Sequence, residues 1–412
     1  MKISNWKILK ILLILSPIID NINGFILLNE NETNISTIFK TCILLFCLSI
    51  LFSNFKIKKN QLIFGVLFST LLIIQLFYIE WVNIGSLSYN LNVTIKMIMP
   101  YIVFFCIKKI MMKNNVVQKD IVSILNYYCW FYPLSIILPS ILEIGFNTYG
   151  YSGIGNKGFY YAGNEISAVL IIVCVLTYRK YMLYRRKLDL LNLLLILGTA
   201  LFVGTKSIYI AIVVMLMSYV FSKQSILKRL VYLLIIIAIS SLVVFAYNQM
   251  GNDFFNDLVE LWTWKYDNQI KGRYENEFIT FMLSQRNASL SEAFVYSYHH
   301  KGIIFILLGN GAFYSCIQND FLLEMDLFDS LLWYGFIIIG LLVIILFRHF
   351  VKFWKVFDIY EKTLVLLIVF FSILAGHTLF APSVTLVFSL MLLNAEQKNG
   401  SLALIDKREQ KL

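Results

Sequence analysis

Apolar stretches of roughly 16 to 22 residues recur along almost the whole chain, separated by short polar breaks. In a bilayer, backbone groups find hydrogen-bond partners only within a helix or a closed barrel, so each stretch predicts a membrane-crossing helix. The chain is therefore predicted to be an all-α polytopic integral membrane protein with about twelve transmembrane helices in a single domain, residues 1–412. The predicted spans are 8–28, 36–54, 61–80, 91–110, 121–142, 162–181, 189–204, 206–222, 227–247, 327–347, 362–377 and 379–394. The pair 189–204 and 206–222 is alternatively one broken re-entrant element.

The charged residues indicate the orientation. Only 14% of residues are charged, and the mean hydropathy of +0.75 excludes a soluble globular protein. With the N-terminus in the cytoplasm, 26 of the 35 Lys and Arg residues fall on the inner side, but only 7 of the 24 Asp and Glu residues do. This bias follows the positive-inside rule and predicts that both termini are cytoplasmic. The basic residues are dispersed over short loops, which argues against nucleic-acid binding.

Residues 248–325 form one long loop on the predicted external side, and loops of this length are usually functional or disordered. Phe254, Leu258 and Trp262 follow one another at four-residue spacing, which predicts an amphipathic helix. Such a helix lies either flat on the membrane surface or against the external ends of the spans. A second external loop, 143–161, is rich in Gly, Tyr and Asn, which suits sugar binding and equally an interfacial tyrosine belt.

Polar residues near the predicted external surface are the candidates for chemistry, because ionisable groups at membrane depth are costly and by default indicate function. Taken singly, each has a structural explanation: Asp326 and Asp329 suit a helix N-terminus, and a lone His is more often a satisfied polar group. The six Cys show no metal-binding or disulfide spacing, so neither metal nor cofactor is expected. The polar candidates are Asp20, Lys96, Lys157, Asn164, Glu165, Lys206, Arg273, Arg286, His299, His300, Glu324, Asp326, Asp329 and His377.

Several short motifs occur in a characteristic order. LSQR at 283–286 is followed by LLGNG at 307–311 and by EMDLFDSLLWYGFIIIG at 324–340. This order resembles the O-antigen polymerase and ligase superfamily, and the resemblance extends over most of the chain. Looser matches to the same superfamily are SPIIDNINGF from 16, GFYYAGNEIS from 158, GTKSIYIA from 204 and AGHTLFAP from 375.

The resemblance implies a bacterial enzyme that works at the outer face of the cytoplasmic membrane without nucleotide sugar or metal. Its substrate would be a glycan carried on undecaprenyl pyrophosphate within the lipid bilayer. A polymerase of this type joins the growing chain to the next lipid-linked repeat unit, whereas a ligase passes the finished chain to another acceptor. Capsule, exopolysaccharide or O-antigen would be the product, with a flippase and a chain-length regulator as possible partners in assembly.

The departing pyrophosphate needs fixed positive charge, which an Arg fork or a Lys ammonium supplies. Arg286 is the first candidate for this role, with Lys206, Lys157 and Arg273 behind it. Lys206 stands where relatives often carry Arg. Asn164 is a candidate either for positioning the sugar or for holding helices together.

The attacking hydroxyl needs a base within hydrogen-bond reach. In the ligases, a His precedes the glycine that opens the Gly-spaced stretch by eleven residues, and Glu324 occupies that place relative to Gly335. This departure favours the polymerase over the ligase. It makes Glu324 the leading candidate for the base, with His377 second.

A lipid-linked oligosaccharide flippase or a secondary transporter is the remaining alternative. Such a protein is expected to show internal repetition between two halves and no long one-sided loop. The sequence shows no such repetition and contains only 5 Pro to break its helices. The polymerase is therefore the favoured interpretation.

Overall fold

The chain folds into a bundle of α-helices. The computed structural model describes residues 5–29, 33–53, 59–82, 86–111, 116–149, 154–221, 260, 263–264, 266–319, 323–355, 357–374, 376, 378 and 381–409. The first eight helices are α1 (Asn5–Leu28), α2 (Ile35–Ser53), α3 (Lys59–Val82), α4 (Leu87–Met111), α5 (Val116–Ile141), α6 (Gly163–Tyr184), α7 (Lys187–Val203) and α8 (Lys206–Phe221). The later helices are α9 (Glu277–Met282), α10 (Arg286–Leu308), α11 (Asp326–Trp354), α12 (Ile359–Leu374) and α13 (Pro382–Glu409), with π-helical turns at Tyr266–Ile270 and Tyr314–Gln318.

The predicted fold class, an all-α polytopic membrane protein, is confirmed. Within the described residues, six helical segments are long and apolar enough to cross a membrane: Asn5–Leu28, Ile35–Ser53, Leu87–Met111, Val117–Ile141, Gly163–Tyr184 and Asp326–Ile344. Shorter apolar segments occur at Thr70–Trp81, Lys206–Met215 and Pro382–Ala395. Each predicted span coincides with a helix except 227–247, which lies outside the described residues.

The doubtful pair of spans consists of two separate helices, α7 of 17 residues and α8 of 16. Gly204 ends α7 in the left-handed conformation with φ of 67°, and its N–H donates to the Ala200 carbonyl at 3.0 Å. This is a common way for a helix to stop, because glycine adopts that conformation without a Cβ clash. The resulting turn places Lys206 at the first residue of α8.

Helix α6 is the central element of the bundle. It packs against α5, α7, α8, α12 and α13. All residues from Ile166 to Tyr178 are buried, which fits a helix that is apolar on every face and surrounded by other helices. The first turn of α6, which carries Asn164 and Glu165, is therefore anchored by the most deeply packed helix that the structure describes.

The Gly- and Tyr-rich loop before α6 contains a small antiparallel β-hairpin that the sequence analysis did not predict. Strand β1 (Asn147–Tyr149) pairs with β2 (Ile154–Asn156). Two further backbone hydrogen bonds, Phe146 N to Gly158 O at 2.8 Å and Lys157 N to Phe146 O at 3.0 Å, extend the pairing toward α6. The hairpin therefore fixes the backbone at Lys157.

The described part of the long loop contains helices α9 and α10. Helix α10 packs along α11, with Phe305 among its buried residues. The predicted amphipathic helix around Phe254, Leu258 and Trp262 lies outside the described residues.

The backbones of the LLGNG segment and α11 touch directly. Asn310 N donates to Leu332 O at 2.7 Å, and Gly311 N donates to Trp333 O at 3.1 Å. A Cβ on Gly335 would lie 2.3 Å from the Leu307 carbonyl oxygen. Gly335 also has φ of 67° and ψ of 176°, a combination that is essentially restricted to glycine. Close approach and backbone conformation together explain why this position is glycine.

Replacing Gly335 with Ala is expected to destabilise the protein. The backbone strain alone costs about 1–3 kcal/mol, and the clash with the Leu307 carbonyl adds to it. Gly340→Ala is the matched control, because Gly340 lies in the same helix and a Cβ there meets nothing within 4 Å. Thermal unfolding of the two purified variants in detergent is the measurement, and equal melting temperatures would contradict the backbone contact.

Candidate functional site

A cavity of about 1230 Å³ opens at the end of the bundle where α6 and α8 begin. Its walls come from the hairpin loop, the first turns of α6 and α8, the segment around α9 and the residues just before α11. Five of the seven residues chosen from the sequence line it: Lys157, Asn164, Lys206, Arg286 and Glu324. Residues far apart in the chain therefore meet in one chamber.

Arg286 and Glu324 form an ion pair in this cavity, from a guanidinium nitrogen to Glu324 Oε2. The Arg286 side chain is 15% exposed and the Glu324 side chain 42%. Asn164 Nδ2 donates to the same carboxylate oxygen at 3.1 Å. The Glu324 carboxylate thus joins α10 to the start of α6 and holds the guanidinium in one position.

The backbone at Glu324 has a conformation that needs support. Its φ of 53° is in the left-handed region, which is unfavourable for a residue with a Cβ. Asp329, which is fully buried, accepts hydrogen bonds from Leu323 N at 3.1 Å and from Met325 N at 2.9 Å. The Asp329 carboxylate therefore fixes the chain on both sides of Glu324.

Asp326, at the start of α11, is also engaged with the backbone. Its Oδ2 accepts hydrogen bonds from Thr378 N at 2.8 Å and Thr378 Oγ1 at 3.0 Å. This contact attaches the AGHTLFAP segment to α11. Gly376 in the same segment packs on Asn164, since a Cβ there would lie 2.7 Å from Asn164 Nδ2.

The LSQR segment is a tight turn that delivers Arg286 to the cavity. Ser284 and Gln285 both have positive φ, 52° and 67°. Gln285 N donates to the Thr280 carbonyl at 2.8 Å, which closes the turn between α9 and α10. Arg286 then begins α10, so its position depends on this turn as well as on Glu324.

Lys206 and Lys157 contribute two further positive charges to the cavity. The Lys206 ammonium lies 3.7 Å from the ring centroid of Phe281 and donates to the Phe281 carbonyl at 3.2 Å. The Lys157 ammonium lies 6.0 Å from the ring centroids of Phe146 and Tyr161. Burial lowers the pKa of Lys157 below the ordinary value for a lysine, because the charged form is poorly solvated there.

Lys96 and Glu165, which the sequence placed among the polar candidates without an assigned role in catalysis or binding, also line the cavity. The signal for both was present, since each is an ionisable residue in or at the start of an apolar span. Asp20 has a structural role instead. It forms a 2.8 Å ion pair with Lys40, and it accepts a hydrogen bond from Ser383 at 2.9 Å, which ties α1 to α2 and α13.

The remaining candidates do not line the cavity or are not described. Arg273 lies in an exposed turn before α9 and is not among the lining residues, although its backbone N donates to the carbonyl of the lining residue Ile270 at 3.0 Å. His299 and His300 are exposed on α10. His377 lies outside the described residues. Within the part of the chain that the structure describes, no group of three or more His, Cys, Asp and Glu side chains could hold a metal ion.

The cavity combines positive charge with aromatic walls. Lys96, Lys157, Lys206 and Arg286 outnumber the carboxylates of Glu165 and Glu324 among its described lining residues. The aromatic part of the lining consists of Tyr89, Tyr149, Tyr161, Phe278, Phe281, Trp333, Phe370 and Phe371. The fold and site together define a polytopic membrane protein with a chamber suited to an anionic ligand that also carries apolar or sugar surface.

Comparison with known protein families identifies the family of the chain. The model of the family described as O-antigen ligase like membrane protein matches residues 4–250, more than half of the 412-residue chain. The chain therefore belongs to this family of membrane proteins of glycan assembly. The match includes Lys157, Asn164 and Lys206 and ends before Arg286 and Glu324. Neither the curated proteins nor the solved structures contain a match to the chain.

Proposed function

We propose that the protein is a bacterial surface polysaccharide polymerase. It transfers a growing glycan from undecaprenyl pyrophosphate to the next lipid-linked repeat unit at the outer face of the cytoplasmic membrane. The observation that supports this most strongly is the Arg286–Glu324 pair, held by Asn164 inside a cationic membrane cavity. In this reaction the sugar hydroxyl of the acceptor attacks the anomeric carbon of the donor, and the bond from that carbon to the pyrophosphate oxygen breaks.

The positive groups of the cavity suit the departing pyrophosphate. Arg286 offers two parallel N–H donors to phosphate oxygens, while Lys206 and Lys157 offer point charges. Because Arg286 is held in place before substrate arrives, little reorganisation is needed when negative charge develops on the leaving group. Arg273 has no part in this proposal, since it is exposed and is not among the residues that line the cavity.

The rest of the lining suits the two ends of such a substrate. Tyr149 and Tyr161 line the hairpin side of the cavity, and aromatic rings are a common surface for sugar faces. Ile210, Phe370 and Leu374 provide apolar surface for an isoprenoid chain. A lipid-linked glycan therefore finds apolar, cationic and aromatic surfaces in one chamber.

The charge distribution supports an orientation with the cavity on the outer side and both termini in the cytoplasm. The opposite end of the bundle carries the basic residues of the predicted inner loops. There Lys10 pairs with Asp120 at 2.5 Å and Arg179 pairs with Asp358 at 2.5 Å. The same orientation puts the pyrophosphate site where a flippase would deliver its product and where a chain-length regulator could act.

A ligase that passes a finished glycan to another acceptor is the second candidate, and the match to the family is equally compatible with it. Glu324 favours the polymerase, because it stands where the resemblance to the ligases calls for a His. Both candidates use the same donor and the same departing pyrophosphate. They differ in the acceptor, so the length of the product separates them.

Deletion of the gene, followed by length-resolved analysis of the cell's glycans, tests the proposal. We expect single repeat units at the surface with no longer ladder, and restoration of the ladder by the wild-type gene. Long chains that remain on the lipid carrier would instead indicate a ligase. Units trapped on the cytoplasmic face would indicate a flippase, and an unchanged profile would contradict a role in polysaccharide assembly.

A further inference from the structure

Glu165 is a carboxylate of the cavity with one oxygen that accepts no hydrogen bond from the described residues. It lines the cavity from the first turn of α6. Its Oε1 is shielded from solvent and accepts no hydrogen bond. A carboxylate can accept about four hydrogen bonds, and a buried polar oxygen without a donor is unusual enough to need an explanation. Because Glu165 also lines the cavity, the hydroxyl group of a bound sugar is a candidate hydrogen-bond donor for this carboxylate.

The other carboxylates around the cavity are occupied. Glu324 Oε2 accepts hydrogen bonds from both Arg286 and Asn164. Asp329 uses its two oxygens on the backbone on either side of Glu324. Among the described acidic residues that line the cavity, this leaves Glu165 as the one without such partners.

The surroundings of Glu165 compensate its charge without forming a direct bond to it. Lys96 on α4 and Lys40 on α2 interact with it electrostatically, and Lys40 is in turn paired with Asp20 on α1. Tyr132 on α5 is the remaining titratable group described as interacting with it. Lys157, Lys206, Arg286 and Glu324 line the same cavity. The carboxylate is thus kept near positive charge, and none of these described groups donates a hydrogen bond to its Oε1.

We propose that Glu165 accepts the proton of the attacking sugar hydroxyl, an assignment that rests on the proposed glycan transfer. As the hydroxyl oxygen forms its bond to the anomeric carbon, its proton moves to the Glu165 carboxylate. The electron pair of the breaking bond leaves with the lipid pyrophosphate, whose charge is held by Arg286 and the lysines. Glu324 then acts as a positioning residue for Arg286, and the proton on Glu165 passes to solvent when the product leaves.

Purified full-length protein in lipid nanodiscs tests this assignment. The substrate is the pool of lipid-linked repeat units extracted from cells that lack the gene, and the rate of transfer is followed against pH. Glu165→Gln is expected to lower kcat by about 10²-fold, a typical contribution of a general base. In the wild type, protonation of the base lowers the rate at acid pH, and the variant should not show this decrease. Binding of farnesyl diphosphate, a short isoprenyl diphosphate, should be unchanged.

Two variants serve as controls. Glu165→Asp keeps the carboxylate and should recover part of the rate together with the acid limb of the profile. Glu143→Gln changes an exposed glutamate outside the cavity lining and should behave like the wild type.

Three outcomes would overturn the assignment. A Glu165→Gln protein with the rate and pH profile of the wild type would exclude Glu165 as the base. A lower rate with an unchanged acid limb, or with lost farnesyl diphosphate binding, would indicate a structural role. If the wild-type protein does not lengthen the glycan, the proposed function and this assignment both fail. Failure of the assignment alone is therefore distinguishable from failure of the proposed function.

Discussion

Cells that carry Arg286→Lys in place of the wild-type gene are expected to lose the glycan ladder, with transfer lowered by about 10³-fold. Lysine keeps the positive charge but cannot make two parallel hydrogen bonds to a phosphate group. It also cannot contact Glu324 and a bound pyrophosphate in the planar geometry of the guanidinium. The loss should therefore appear in the rate of transfer even though the net charge of the cavity is unchanged.

Arg273→Lys is the matched control for this prediction. It makes the same chemical change in the same loop, at an exposed position outside the cavity lining, so the ladder should persist. Immunoblots of the membrane fraction show whether both variants insert at equal levels. A full-length ladder from Arg286→Lys would remove Arg286 from the proposed site, whereas loss of the ladder in both variants would mean that the loop tolerates no change at either Arg.

Hydropathy sufficed to predict the helices at the described spans, because each long apolar stretch has only one way to satisfy its backbone in lipid. It did not predict α9 and α10, which lie in the long loop. It did not resolve whether 189–204 and 206–222 are one element or two. That depends on Gly204, whose left-handed conformation ends α7. The β-hairpin at 147–156 was also missed, since its strands have only three residues each and carry no alternating pattern.

The sequence predicted which kinds of residue belong to the candidate site, but not which of them contact each other. Arg286 and Glu324 are 38 residues apart in sequence, and nothing in their spacing indicates that they form an ion pair. The sequence favoured Glu324 as the base. Its ion pair with Arg286 argues against that hypothesis, because the carboxylate already has a partner. Glu165 stood among the polar candidates, but the sequence assigned it no role in catalysis or binding. Its lack of hydrogen-bond donors is a property of packing, which appears only in three dimensions.

The glycines also illustrate the difference between what the sequence indicates and what the packing shows. LLGNG was noticed as part of a family resemblance, with no physical reason attached. In the structure, Gly309 and Gly335 permit two backbones to touch, and a Cβ on Gly309 would lie 2.4 Å from the Trp333 carbonyl oxygen. This contact fixes the C-terminal end of α10 against α11, which Asp326 begins just after Glu324.

Glu324→Gln is expected to lower transfer by roughly 10²- to 10³-fold, because a misplaced binding group costs about that much even when its chemistry is intact. The glutamine side chain has nearly the same shape but no charge, so Arg286 loses its ionic partner while the fold is retained. The effect should fall on the pyrophosphate site: farnesyl diphosphate should bind more weakly, and the acid limb of the pH profile should remain. If Glu324 were the base, the opposite pattern would appear, with binding retained and the acid limb lost.

A double-mutant cycle separates positioning from an independent contribution. If Glu324 acts through Arg286, the double variant Arg286→Lys with Glu324→Gln should be little worse than Arg286→Lys alone, because residues in one ion pair are strongly coupled. Multiplicative losses would show that Glu324 contributes apart from the guanidinium and would return it to the list of candidate bases. Glu292→Gln, at an exposed position on α10, is the control for removing a negative charge from this helix. A wild-type rate for Glu324→Gln would exclude both roles.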